Sequence, residues 1–138
     1  MKNNKLDLSY LAGFFDGEGC ISILKYSKKK EWNPAYFLQA QIGQKYGDTL
    51  DWVKETFGGS VYKKRDQTWI VSNFKAYEFI KLLTPYLKYK KPQAELAIKF
   101  YEERILGAKR KHASDPHTKE EIAKREEMRI QMQILKRL

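Results

Sequence analysis

Apolar and polar residues follow helical and strand spacings in turn along the chain. Apolar residues at helical spacing predict a helix over residues 7–17, which Asp7 can cap at its start. Alternation at every second residue then predicts strands over 20–26 and 36–44. A lysine-rich polar turn separates these strands, and we expect them to pair as a hairpin.

A second unit of the same kind follows in the middle of the chain. Leu50, Val53 and Phe57 form an apolar stripe, and the two glycines after them stop that helix. Pro85 ends a later helix because proline cannot continue one. The predicted elements are a helix over 49–57, strands over 60–65 and 68–72, a helix over 74–83 with Phe74, Tyr77, Ile80 and Leu83 on one side, and a helix over 92–106 that Gly107 closes.

The order α-β-β-α-β-β-α predicts an α+β fold, in which residues 1–107 form one core domain. Its two β-β-α units are expected to build one antiparallel sheet, with helices packed on one face and the other face free. Residues 108–138 are expected to form a basic linker and a C-terminal helix, where Thr118 and Glu121 make a capping-box pattern. The apolar strip of this last helix is thin, so we expect it to dock loosely.

The charge balance points to an anionic partner. The chain has 27 Lys and Arg against 17 Asp and Glu, and nucleic acid is the commonest partner of so basic a domain. Many soluble proteins are basic without such a partner, so charge alone decides little. No apolar run approaches the roughly 20 residues that span a membrane, and the single cysteine excludes an internal disulfide framework. We therefore expect a reducing, intracellular setting and no membrane.

Residues 11–19, LAGFFDGEG, combine small residues with carboxylates at a helix end. Gly13 and Gly17 share a helix face, and glycine costs about 1 kcal/mol in a helix interior, so the pair favours close approach of another helix. Asp16 and Glu18 meet the negative end of the helix dipole, where a divalent cation would turn an unfavourable placement into a binding site. A plainer alternative is that the glycines only cap the helix and Glu18 is solvated.

Residues 11–19 resemble the motif that names the LAGLIDADG homing endonucleases, and two later segments support the resemblance. Residues 41–45, QIGQK, look like the end of the family's second strand, and residues 87–94, LKYKKPQA, are similar to its lysine-bearing segment. The resemblance covers residues 5–106 and includes the family's element order. It implies a sequence-specific homing endonuclease that makes double-strand breaks in a long pseudo-palindromic site by metal-dependent phosphodiester hydrolysis, acting inside the cell on the DNA of its host genome.

The resemblance also implies roles for individual residues. Glu18 matches the position that holds metal and the scissile phosphate, and the Gly17 carbonyl matches a backbone ligand beside it. Asp16 is expected to cap and support the helix, Gln44 to position water, and Lys90 to lie near the attacking water and the phosphate charge. The expected cofactor is Mg²⁺, with Mn²⁺ as a substitute, because these ions suit carboxylate and phosphate oxygens.

The segment after Gln44 departs from the family pattern. Members often carry another basic residue shortly after that glutamine, whereas Tyr46, Gly47 and Asp48 stand here. Lys45 is a candidate replacement, but its strand parity leaves its direction open.

A single motif supplies one metal carboxylate and half of a DNA-binding surface, so cutting both strands of double-stranded DNA implies a homodimer. The expected dimer interface is the motif helix, through Leu11, Ala12, Gly13, Phe15, Asp16 and Gly17. Strand parity gives the free face of the sheet a polar and basic surface suited to the major groove. Its expected DNA-binding residues are Ser22, Leu24, Tyr26, Lys28, Lys30, Gln39, Gln41, Tyr62, Lys64, Thr68 and Ile70.

Two other functions stay open at this point. A non-cleaving member of the family could act as an RNA-splicing maturase or a DNA-binding regulator, although the complete set of Glu18, Gln44 and Lys90 argues against a purely binding role. In an unrelated basic binding module the motif would be a coincidence, and such a protein would be monomeric and indifferent to substitution of Gly13.

Overall fold

The computed structural model describes residues 4–27, 29, 33–110 and 118–138, so Lys28 and Lys30 lie outside the described residues. It confirms the α+β class and the α-β-β-α-β-β-α order. No helix in these ranges is long and apolar enough to cross a membrane. The elements are α1 (Lys5–Glu18), β1 (Gly19–Tyr26), β2 (Ala35–Gln44), α2 (Thr49–Phe57), β3 (Ser60–Lys63), β4 (Gln67–Ser72), α3 (Asn73–Leu83), α4 (Lys91–Arg110) and α5 (Lys119–Leu135), with a 3-10 turn at Thr84–Tyr86.

The four strands form one antiparallel sheet in the order β1-β2-β4-β3. Along β2, burial alternates from Tyr36 to Ile42, because one face of the sheet carries the core. Ala40 of β2 lies between Ile21 of β1 and Val71 of β4, and all three are buried. We call the other face the open face; its strand residues are Cys20, Ser22, Leu24, Tyr26, Ala35, Phe37, Gln39, Gln41, Gly43, Ser60, Tyr62, Thr68, Ile70 and Ser72.

Aromatic rings fix the end of α1 against the sheet. The ring of Phe79 in α3 lies 4.8 Å from that of Trp69 and 5.4 Å from that of Phe15, measured between centroids. Trp69 is fully buried, and its indole N–H donates to the Gly58 carbonyl at 2.8 Å. Burying side chains of this size stabilises the fold by roughly 2–3 kcal/mol each. Phe15 therefore anchors the C-terminal turn of α1.

The junction between α1 and β1 requires a glycine. Gly19 follows α1 directly, and its backbone N–H donates to the Phe15 carbonyl. A Cβ atom on Gly19 would overlap the Phe15 ring. The missing side chain lets the chain pass from helix to strand immediately after Glu18.

The structure corrects the start of α1 and the face of α3. α1 begins at Lys5, and the Asn4 side chain, three residues before the expected cap Asp7, caps it by accepting a hydrogen bond from the Asp7 N–H at 2.8 Å. Phe74 is 55% exposed, because α3 turns Ala76 and Phe79 into the core instead. Helical spacing alone allowed both faces, and packing against the sheet selected one.

The last two helices pack together more firmly than the sequence suggests. α4 does not end at Gly107 but continues to Arg110. α5 lies so close there that a Cβ atom on Gly107 would be 2.9 Å from a carboxylate oxygen of Glu121. Met128 and Met132 of α5 are only 5% and 1% exposed, so the thin apolar strip is buried rather than loosely docked.

Polar contacts also attach α5 to the sheet. The capping box of Thr118 and Glu121 is present, as expected. Burial, together with a hydrogen bond of 2.7 Å from the Tyr36 hydroxyl to the Glu126 carboxylate, raises the pKa of Tyr36 to about 12. The Arg129 guanidinium, at 2.6 Å, is the main reason that the pKa of Glu126 falls to about 2.

Candidate active site and nucleic-acid interface

The C-terminal turn of α1 presents two carboxylates with different surroundings. The Asp16 carboxylate accepts hydrogen bonds from the backbone N–H groups of Lys88, Tyr89 and Lys90, at 2.8, 3.2 and 2.9 Å. These bonds tie the end of α1 to the segment that leads into α4. Glu18 is exposed. Asp16 is therefore engaged in supporting the fold, and Glu18 is the carboxylate that faces solvent.

Lys90 supplies positive charge from inside the protein. Its side chain is 8% exposed, and its ammonium donates to the Asp16 carbonyl at 2.8 Å. That carbonyl is one of the last four of α1, which lack partners within the helix. The buried cation offsets the negative end of the helix dipole at the place where Glu18 projects.

Lys136 adds positive charge near Cys20, two residues after Glu18, and its effect is seen in the pKa of the Cys20 thiol. Burial raises the pKa of the Cys20 thiol, but the hydrogen bond with Ser22 and the charges of Lys136 and Lys90 outweigh burial and lower the pKa below its usual value. Lys136 follows α5, and its ammonium donates to the Ser22 hydroxyl at 3.0 Å. Two lysines from different parts of the chain thus favour the approach of an anion.

A cleft opens between Glu18 and the adjoining ends of β2 and β4. Its volume is about 440 Å³, and Glu18 and Gln44 both line it. Gln44 lies opposite Gln67 in the β2–β4 register, and the side-chain oxygens of both glutamines are buried without a hydrogen-bond partner among the described residues. A buried amide oxygen left unpaired costs roughly 1–3 kcal/mol. Both glutamines therefore line the cleft while their side-chain oxygens are turned away from solvent.

The donor atoms at the end of α1 fit a hard divalent cation. Glu18 offers a carboxylate and Gly17 a backbone carbonyl just before it, where α1 ends. Among the described residues, no group of three or more His, Cys, Asp or Glu side chains is placed to hold a metal ion. One carboxylate per chain suits Mg²⁺, which keeps several waters and shares phosphate oxygens with its substrate.

The open face holds most of the residues expected to contact DNA. Cross-strand pairs place Ser22 beside Gln39 and Cys20 beside Gln41, and Gln41 also neighbours Ile70. Hydroxyl and amide groups therefore lie side by side across the middle of the sheet. The expected residues that the structure brings onto this face are Ser22, Leu24, Tyr26, Gln39, Gln41, Tyr62, Thr68 and Ile70.

Lys64 and Phe37 differ from the expectation. β3 ends at Lys63, and Lys64 lies in the following turn, where its backbone N–H donates to the Asp66 carbonyl at 3.1 Å. The alternation of side-chain direction was extended one residue beyond the end of β3, because the chain enters a tight turn at Lys64. Phe37 pairs with Leu24 on the open face, and the alternation that identified Gln39 could have identified it as well.

The assignment of three residues to the dimer interface is wrong. Leu11, Ala12 and Phe15 are fully buried in the core of their own chain, so their side chains cannot contact a partner. Asp16 is likewise engaged by the segment before α4. The order of letters in the motif does not reveal which helix face the sheet covers.

The exposed side of α1 is formed by different residues. Leu6, Tyr10, Gly13 and Gly17 are exposed, and helical geometry places them within an arc of about 60° opposite the buried face. A Cβ atom on Gly13 or Gly17 would meet no heavy atom within 4 Å. The two glycines therefore leave room for an external helix to approach closely.

Comparisons with known proteins agree with this arrangement. A family model described as LAGLIDADG endonuclease matches residues 11–103. The DNA endonuclease I-CreI of Chlamydomonas reinhardtii is 33% identical over 108 residues. The chain belongs to the LAGLIDADG endonuclease family. The match to I-CreI covers 74% of this chain and 66% of that protein, slightly less than two thirds of its length.

Solved structures of homing endonucleases share the fold. I-CvuI, in complex with an I-CreI target in the presence of 2 mM Mg, has a TM-score of 0.79 at 20% identity, covering 95% of this chain and 82% of that chain. I-CvuI with its own target in 2 mM Ca has a TM-score of 0.76 at 21% identity, covering 94% and 82%. I-LtrWI bound to target DNA has a TM-score of 0.71 at 23% identity and covers 94% of this chain but 45% of that chain.

Two basic residues near the LAGLIDADG helix were not foreseen from the sequence. Arg65 lines the cleft beside Glu18, and Lys136 reaches Ser22 from beyond the region that the family model matches. Both arrive through tertiary packing. No spacing along the chain connects either residue with residues 11–19.

Proposed function

We propose that this LAGLIDADG protein is a site-specific DNA endonuclease that makes double-strand breaks by metal-dependent hydrolysis. The observation that carries the proposal is the surroundings of Glu18. An exposed carboxylate projects from the end of α1 into a cleft shared with Gln44, while Asp16 and Lys90 hold that helix end in place. The DNA complexes of I-CvuI support the substrate class.

Phosphodiester hydrolysis has requirements that these residues meet. A water oxygen forms a bond to phosphorus, the bond from phosphorus to one sugar oxygen breaks with its electron pair, and a proton passes to that leaving oxygen. Bound Mg²⁺ would lower the pKa of water and neutralise phosphate charge. Glu18 and the Gly17 carbonyl would hold the ion, the Gln44 amide would orient the water, and the Lys90 ammonium would add positive potential through the helix end.

We propose further that two copies of the chain form the active enzyme. The exposed stripe of Leu6, Tyr10, Gly13 and Gly17 would pack on its symmetry mate, which brings the two Glu18 carboxylates to neighbouring positions. Each carboxylate would then serve one DNA strand. The match of this chain to 45% of I-LtrWI supports the idea that one copy is half of a complete enzyme.

The open face would read the major groove of each half-site. Gln39 and Gln41 carry amides that can pair with adenine, and Ser22 and Thr68 carry hydroxyls that accept several bases. Two copies related by a two-fold axis would read a pseudo-palindromic site. The prediction that Lys28 and Lys30 contact DNA also remains part of this proposal.

Selection from a randomised DNA library tests the proposal. The protein is incubated with the library in Mg²⁺, and cut ends are sequenced for the unaltered chain, for Glu18→Gln and for Glu55→Gln, a control at an exposed carboxylate of α2. We expect one long pseudo-palindromic site cut on both strands, full cutting by the control, and a rate lower by on the order of 100-fold or more for Glu18→Gln. Chelation of the metal should abolish cutting, and Mg²⁺ or Mn²⁺ should restore it. Binding of one DNA sequence without cutting would instead favour a maturase or regulator.

A further inference from the structure

The cations around Glu18 are unevenly distributed. Lys90 acts from within the protein, with its ammonium bonded to the Asp16 carbonyl. The segment after β2 supplies a single cation, Lys45, whose ammonium lies 5.8 Å from the centroid of the Tyr46 ring. That segment then ends in acidic Asp48. Phosphoryl transfer needs a donor that faces the phosphate oxygens directly, and Lys45, which also lines the cleft, is the one cation that this segment offers.

The turn between β3 and β4 brings another cation to the same place. The antiparallel register sets Gln67 at the start of β4 opposite Gln44 at the end of β2. The Gln67 amide donates to the Gly47 carbonyl at 2.9 Å, which fastens the turn to the segment after β2. Arg65 lies in this turn, is exposed, and lines the cleft together with Glu18.

We propose that Arg65 is a further catalytic residue, which binds the scissile phosphate in the cleft that it lines together with Glu18. The proposal rests on the endonuclease function proposed above. Arg65 would donate to non-bridging phosphate oxygens and stabilise the negative charge that grows as the water attacks. It thereby supplies the exposed basic group that Tyr46, Gly47 and Asp48 do not provide.

Charge and geometry favour Arg65 over Lys45 for this role. A guanidinium presents a planar fork of N–H donors that matches two oxygens of one phosphate, and it stays protonated at every working pH. An ammonium acts as a point charge, and that of Lys45 lies over an aromatic ring. The hydrogen bond from Gln67 to Gly47 also holds the turn that carries Arg65 at the cleft that Glu18 lines, where a bound phosphate would meet both side chains.

The test separates the rate of cutting from the affinity for DNA. Single-turnover cleavage in Mg²⁺ is measured at saturating protein on the site selected from the library, and binding of the same site is measured in Ca²⁺. The variants are Arg65→Ala, Arg65→Lys, Lys45→Ala and, as a control at an exposed lysine of α2, Lys54→Ala. We expect Arg65→Ala to lower the single-turnover rate by on the order of 100-fold while Kd changes less than about tenfold. Arg65→Lys should recover part of the rate, and Lys54→Ala should keep it within about threefold.

Several results would overturn the inference. If Arg65→Ala cuts as fast as the unaltered chain at saturation and only raises Kd, Arg65 serves DNA binding alone. If Lys45→Ala shows the large loss instead, Lys45 holds the role. An unaltered chain that cuts no DNA would overturn the endonuclease function itself, whereas cutting that depends on Glu18 but not on Arg65 would overturn this inference alone.

Discussion

Substitution of Gly13 should change the stability of the protomer and of the dimer in opposite directions. Gly13 lies in the interior of α1, is exposed, and has space around its missing Cβ within its own chain. Alanine is about 1 kcal/mol more favourable than glycine in a helix interior. Gly13→Ala should therefore stabilise the isolated protomer by about 1 kcal/mol.

The same methyl group should weaken the dimer. Two-fold packing through the exposed stripe of α1 would place two added methyl groups in one interface, and overpacking of close-packed groups costs about 1–3 kcal/mol. Each 1.4 kcal/mol is a factor of ten, so the dissociation constant of the dimer should rise by about 5- to 150-fold. Gly13→Leu adds more volume at the same position and should abolish the dimer at micromolar concentration.

Sedimentation equilibrium gives the dissociation constant of the dimer. Urea unfolding at protein concentrations below this constant gives the free energy of unfolding of the protomer. Gly43→Ala is a matched control, since a Cβ added to Gly43 also meets no heavy atom within 4 Å. Gly43 lies on the open face, away from the exposed stripe of α1. It should leave the dimer unchanged. An unaltered dissociation constant in Gly13→Leu would refute the interface. A less stable protomer in Gly13→Ala would show that Gly13 is not free on its own chain.

Two further predictions concern stability. Asp16→Ala removes the acceptor of three backbone N–H groups and should lower the free energy of unfolding by about 2 kcal/mol in urea titrations. Glu55→Ala, a control at an exposed carboxylate of α2, should cost well under half of that, and equal losses would contradict the anchoring role. The Glu126 pKa lies at about 2 in the fold, below its unfolded value, so the carboxylate stabilises the protein above about pH 4.5 and this contribution is lost as the pH falls toward 2. Because solvent screens this partly exposed group, we expect Glu126→Gln to cost about 1 kcal/mol at pH 6 and nothing near pH 2, and a difference that does not vary with pH would refute the assignment.

The order of elements was readable from the sequence because it follows from local periods. The helix over 49–57 and the strand ending at Gln44 were predicted at their observed ends. Strand parity also assigned Ser22, Gln39 and Gln41 to the open face, since side-chain direction alternates whatever the rest of the fold does. Where the pattern failed, as at Lys64 and Gly107, a tight turn or a neighbouring helix had overridden local preference.

The motif residues show the same division within one helix. The sequence by itself determined that a glycine-bearing helix ends in Asp16 and Glu18, because composition and spacing along the chain specify both. It did not determine that Leu11 and Phe15 face inward while Gly13 faces outward, since a short apolar helix can bury more than one face. Packing against the sheet made that choice.

Only the tertiary structure decided which groups meet at the candidate active site. Glu18, Gln44, Arg65 and Lys90 come from four separate segments, and the chain carries no signal for distances between them. The antiparallel register of β2 and β4 brings Arg65 to the cleft, and the hydrogen bonds of Asp16 bring Lys90 to the end of α1. Local periods specify elements because they depend on neighbouring residues, whereas the site depends on contacts that form only when the core packs.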